Sequence, residues 1–74
     1  MKYYQRIRQM SDVTLTRELD AMRLAASNSR KMMHDASLRS IIRQRAKQQH
    51  LMAKGKVTAV LRELLSRQNG AQLA

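Results

Sequence analysis

The sequence predicts an all-α fold, an antiparallel helical hairpin preceded by a short helix, and three observations carry that prediction. Proline is absent, glycine occurs only at positions 55 and 70, and the chain is rich in Ala, Leu, Met, Arg and Gln, the residues that form helices most readily. Apolar residues recur at steps of three and four, the period of one helix face, and nowhere alternate as in a half-buried strand. Two long amphipathic patterns are separated only by His34-Asp35, and so short a link makes two helices antiparallel neighbours. The 74 residues are expected to form one small domain, with positions 70–74 as a frayed tail.

Taken in order, Tyr3, Tyr4, Ile7 and Met10 share the face of a short helix, and the two tyrosines are expected to act as the lid of a small core. Ser11 begins the first long helix. It can cap, Asp12 sits in the positive first turn, and Met10 and Leu15 occupy the two positions of a hydrophobic staple. Leu15, Leu19, Met22 and Ala26 then trace an apolar face, with Asp20 and Arg23 placed to pair on the exposed side. The polar triplet Ser27-Asn28-Ser29 weakens the pattern, but Arg30 and Lys31 suit a last turn, and the helix is expected to end near Met33.

Asp35 is expected to cap the second helix, with Leu38 its first apolar contact. Gly55 sets the main choice of topology. As a C-cap it would divide the region and give a three-helix bundle; inside one helix it costs about 1 kcal/mol. Ala53, Val57, Val60 and Leu64 keep steps of four, three and four across it, and a turn would reset that phase, so one helix is predicted, closing with Arg67 in its last turn and Gly70 beyond. The expected buried set is Leu15, Leu19, Met22, Ile42, Ala53, Val57, Val60 and Leu64. The second helix is then the longer one, and its surplus, with Leu61, Leu64 and Leu65, is left for the segment Tyr3 to Met10 to cover. Incomplete cover there would favour self-association or ordering by a partner.

Fifteen Lys and Arg stand against five Asp and Glu, a net charge of +10 that points to nucleic acid or to a protein with an acidic surface. Cysteine is absent, which excludes disulfides and thiolate metal sites and makes a cytoplasmic location the expectation. No apolar run approaches the roughly 20 residues of a membrane span, and the basic opening is not followed by the apolar core of a secretion signal.

The densest signal is the stretch from Leu38 to Lys56, which carries no acidic residue. At about 100° per residue, Arg39, Arg43, Lys47 and Lys54 share one sector of a helix with His50, while Leu38, Ile41, Ile42, Gln49 and Met52 share a neighbouring one. A basic stripe beside an apolar one reads as a helix seated on a core with a flank offered to phosphates. Arg30, Lys31 and Arg45 join Arg39, Arg43, Lys47 and Lys54 as candidate nucleic-acid contacts. Both histidines are expected to face solvent, His50 adding charge to the stripe in acid. Gln49 is expected at the edge of the predicted seam; inside it, a polar residue would set register or oligomeric state.

No catalytic chemistry is legible. His34 and His50 lack ligand spacing, the carboxylates form no pair with a nucleophile, and neither a phosphate-binding glycine loop nor a zinc pattern is present. The expectation is a non-enzymatic protein without cofactor or metal. Nor does the chain show the short helix, glycine-bearing turn and recognition helix of a helix-turn-helix DNA reader.

Ile7-Arg8, Ser11, Leu15, Glu18-Leu19 and Met22 resemble the opening of the family of a bacterial large-subunit ribosomal protein that is itself a small basic helical hairpin. The likeness covers about the first third. Beyond it the chain departs: Ala25-Ala26-Ser27-Asn28-Ser29 stands where that family carries an apolar and aromatic run, and the second helix is longer by roughly two turns. The resemblance implies a basic hairpin able to serve a ribonucleoprotein. The functional expectation is a small phosphate-directed DNA- or RNA-binding protein, regulatory or ribonucleoprotein-associated; the alternative is a helical adaptor or regulatory subunit that binds another protein, and a homo-oligomer fits either.

Overall fold

A computed structural model describes residues 2–73, which form three helices: α1 (Tyr3–Arg8), α2 (Asp12–Met33) and α3 (Ser40–Leu73). α2 and α3 pack side by side as a hairpin, and α1 folds back onto α3. The 34 residues of α3 make a rod of about 51 Å at 1.5 Å per residue, and the long dimension of the molecule is 53 Å. α2, with 22 residues, covers about 33 Å of it. α1 packs where the first turns of α2 meet α3, with Tyr3 beside Glu18 and Lys56 and Ile7 in one cluster with Leu15 and Val60.

The start of α2 follows from its sequence. Ser11 is extended and its hydroxyl accepts the Thr14 N–H at 3.2 Å, while Asp12 lies in the first turn and Arg30 and Lys31 in the last. Met10 packs with Leu15 on the core, as a staple does. Ser27-Asn28-Ser29 does not interrupt the helix, because Ser29 Oγ donates to the Ala25 carbonyl at 2.7 Å and is satisfied without leaving the helix. The exposed pair predicted between Asp20 and Arg23 does not form. Among the described residues both ion pairs belong to Arg67.

The turn is longer than its sequence suggests. Asp35 does not cap α3: its carboxylate accepts the Ser37 N–H at 2.9 Å and the Ser37 hydroxyl at 2.6 Å. An Asx-turn of this kind bends the chain instead of starting a helix. The Ser37 hydroxyl, and then its N–H, hold the Asp35 carboxyl below its ordinary pKa. α3 begins only after Arg39, whose carbonyl accepts from Ile42 N and Arg43 N at 3.0 and 3.1 Å.

Once started, α3 runs unbroken through Gly55 and through Gly70, so the hairpin and not the three-helix bundle is formed. The helix does not stop at Gly70 as expected but continues to Leu73; position 74 of the predicted tail lies outside the described residues. Neither glycine has a positive φ, and a Cβ at Gly55 meets nothing within 4 Å. Gly55→Ala should therefore stabilise the protein by about 1 kcal/mol, removing the entropic cost of glycine in a helix interior. In a domain of this size that is a rise in Tm of about 4–8 °C, measurable by circular dichroism, and a fall would show a backbone role for the glycine.

The core lies at the open end of the hairpin. Ile7, Leu15, Leu19 and Val60 are buried together, with Tyr3, Met10, Val57, Ala59, Leu61 and Leu64 packed around them. Tyr3 is half-buried and donates to Glu18 Oε1 at 2.6 Å; burial first, then the Glu18 carboxylate, hold its phenol above the ordinary range. The Lys56 ammonium lies 5.1 Å from the Tyr3 ring centre. Arg67 closes this end. Its guanidinium donates to Asp12 Oδ1 at 2.7 Å and Glu63 Oε1 at 3.0 Å, and to the Ile7 and Arg8 carbonyls at 3.3 and 3.2 Å. Both carbonyls lie at the C-terminus of α1, where the Ile7 carbonyl also accepts the Met10 N–H at 3.2 Å. The leucine surplus is thus covered in part: Leu61 and Leu64 pack on the core, whereas Leu65 stays exposed.

Towards the turn the seam changes character. Its buried residues on α3 and α2 are Ala46, Ala53 and Ser29, and the small side chains let the helices approach closely. Ile42, expected in the core, is 37% exposed. The cause is the mismatch between 3.5 and 3.6: contacts that repeat every seven residues drift about 20° round a straight helix per repeat. From Val60 through Ala53 to Ala46 the seam rotates away from the face that carries Ile42, Gln49 and Met52. Gln49 is accordingly exposed and sits outside the seam.

Candidate nucleic-acid interface

That rotation places the basic residues along one edge of the seam. Two hollows follow each other there. The first, of about 400 Å³, is lined by Met33, His34, Ser40, Arg43, Gln44 and Lys47. The second, of about 460 Å³, is lined by Ala26, Ser27, Arg30, His50 and Lys54. No carboxylate lines either one. From Arg43 to Lys54 the flank spans about 16 Å of helix axis; Arg43 feels the Asp35 carboxylate, but among the described residues no cation of the flank forms an ion pair.

Of the candidate contacts, Arg30, Lys47 and Lys54 are exposed on this flank. Arg43 is half-buried, and its Nε is enclosed without a hydrogen-bond partner. Arg39 is exposed but precedes the helix, so its side chain is not in register with the others. Lys31 is exposed one residue on from Arg30, about 100° further round α2. Arg45 is exposed on the opposite flank of α3, about 160° round from Arg43.

His50 corrects the expectation of a solvent-facing histidine. It is half-buried, and its Nδ1 lies 2.8 Å from the Ala26 carbonyl on the facing helix. A carbonyl oxygen only accepts, so Nδ1 carries the proton and Nε2 is the nitrogen left for a ligand or for a second proton. His50 therefore ties the two helices together at the floor of the second hollow. His34, Ser27, Ser40 and Gln44 also line the flank, though none was among the candidate contacts; only the pairing of two helix edges brings them together.

Anionic oxygens, of a phosphate or of a carboxylate, fit such a surface. Guanidinium and ammonium groups supply charge, and the Ser27, Ser40 and Gln44 side chains supply neutral donors. No aromatic side chain lines either hollow, so bases find no stacking platform here. Among the described residues no helix is long and apolar enough to cross a membrane. Comparison with protein families, with curated proteins and with solved structures finds no match to this chain.

Proposed function

We propose that the protein is a non-enzymatic nucleic-acid-binding protein that grips the phosphate backbone with the basic flank of its hairpin. The observation that carries this reading is the pair of adjoining hollows rimmed by Arg30, Arg43, Lys47, His50 and Lys54 with no carboxylate among their lining residues. Arg30 and Lys54 reach the strand from α2 and α3 respectively, so the contact is a cleft between two helices and more than one charged helix face. Contacts of this kind position a backbone and carry no base information, so unrelated sequences should bind alike.

Salt titration tests it. Binding to duplex DNA should weaken linearly in log K against log salt, and replacing Arg30, Lys47 and Lys54 together by Gln should lower that slope by about 2.7, near 0.9 for each lost phosphate contact. Arg43 is left in place because it is half-buried and its loss would disturb packing. The helical content should stay unchanged, since the three side chains are exposed and Gln is a good helix former. The control is Arg17→Gln with Arg23→Gln, both exposed on α2 and outside the two hollows. If the control lowers the slope as much per charge as the triple variant, only net charge matters, and absence of binding at low salt sinks the proposal.

A further inference from the structure

The opposite flank of the same hairpin has a different chemistry. Ile41, Arg45, Gln49, Met52 and Lys56 follow one another up α3 at steps of four, four, three and four, a single row on one helix face. Between this row and α2 runs a groove of about 250 Å³ lined by Met22, Ala25, Ser29, Gln49, Met52, Ala53 and Lys56. Its surroundings are unusually apolar for a surface: Ile41 is 57% exposed, Met52 63% and Met32 40%. Ala25, Ser29 and Ala53 give it a low floor onto which another backbone can come close. Ser29 adds no unmet polar group, because its hydroxyl is already bonded to the Ala25 carbonyl at 2.7 Å.

We propose that this groove docks an acidic amphipathic helix of a partner protein, which completes a three-helix bundle at the turn half of the hairpin. The turn half has no large buried side chain of its own; its buried seam is Ala46, Ala53 and Ser29, whereas Ile7, Leu15, Leu19 and Val60 lie at the other end. A third helix would supply the bulk that these small residues omit. The row from Ile41 to Lys56 spans about 22 Å, or four turns. Methionine at 22, 32 and 52 gives walls that adapt to the incoming side chains.

Charge decides the kind of partner. Arg45 and Lys56 stand in the row, and no acidic residue occurs anywhere between Ala36 and Arg62. Lys56 already rests on the Tyr3 ring, which leaves Arg45 as the freer of the two. A second copy of this chain, itself at +10, would set the same cations against each other. A helix with Leu on one face and Glu along its edges meets apolar floor and basic row together, in the helix-in-groove manner.

The probe is a fluorescein-labelled 18-residue peptide with Leu and Ala at heptad core positions and Glu with Gln elsewhere, followed by anisotropy near physiological salt. The expected result is saturable binding at least tenfold tighter than that of a scrambled peptide of identical composition. Ile41→Gln with Met52→Gln, both at exposed positions, should weaken it at least tenfold with the circular dichroism spectrum unchanged, and Arg45→Gln should weaken it severalfold. Equal binding of the scrambled peptide, or unchanged affinity in the double variant, overturns the proposal. So does a wild-type dimer in sedimentation that the double variant dissociates, which gives the groove to a second copy. Loss of duplex DNA binding in the double variant, in step with loss of peptide binding, would give it to nucleic acid and overturn the proposal as well.

Discussion

Leu15→Ala is expected to remove much of the stability of the protein, at a cost of about 2–5 kcal/mol for a fully buried leucine truncated inside a packed cluster. Leu15 is completely inaccessible and touches the cluster that joins all three helices, with Ile7 from α1, Leu19 from α2 and Val60 from α3. Against it stands a total of about 4–11 kcal/mol for 74 residues, taking roughly 0.05–0.15 kcal/mol per residue. The denaturant midpoint should fall by about a fifth or more, and the thermal transition should move towards ambient temperature. Met52→Ala, by contrast, should change stability by less than about 0.5 kcal/mol, as an exposed substitution does. Similar losses from the two would show that the core is not concentrated at the open end.

Ala46→Leu is the second large effect, and it acts by excess volume. Ala46 is 1% exposed between the two helices, one turn from His50, whose Nδ1–H meets the Ala26 carbonyl at 2.8 Å. Three more carbons there push the helices apart, at a cost of about 1–3 kcal/mol. The separation also breaks the His50 bond and reshapes the second hollow. Chemical denaturation should report the destabilisation, and the nitrogen resonances of His50 should report loss of the Nδ1–H donor. An unchanged His50 signal in a destabilised variant would show that the bond does not depend on close approach.

Much of this architecture was legible in the sequence because its determinants are local. Ser11 and Asp12 announce the start of α2, Arg30 and Lys31 its end, and the steps from Ala53 to Leu64 carry one helix through Gly55. What was illegible depends on which edge of one helix meets which edge of another. Periodicity assigns Ile42 and Ala46 to one apolar face, but the slow rotation of a straight seam keeps Ala46 inside and leaves Ile42 at the margin. The basic stripe was visible as a run of charge, whereas its division into two hollows required α2, which contributes Arg30 and Ser27. His50 looked like one more cation; its bond to Ala26 spans two helices and has no signature in spacing. Asp35 obeyed a capping rule and an Asx-turn rule equally well, and Ser37 two residues on was the only hint of which would win. Arg67 suited a last turn, and nothing nearby indicated that it would reach α1.

Placing the core and the Arg67 contacts at the open end of the hairpin has a consequence for how the chain assembles. Arg67 meets Asp12 across a separation of 55 residues and the Ile7 carbonyl across 60. Closing loops of that length forfeits chain entropy before any large side chain is buried. Growth from the turn would zip alanine against alanine and gain little with each step. The expected order of assembly is therefore an encounter of the far ends first, with the turn half drawn in afterwards, and φ-values higher at Leu15 and Val60 than at Ala46 would bear it out.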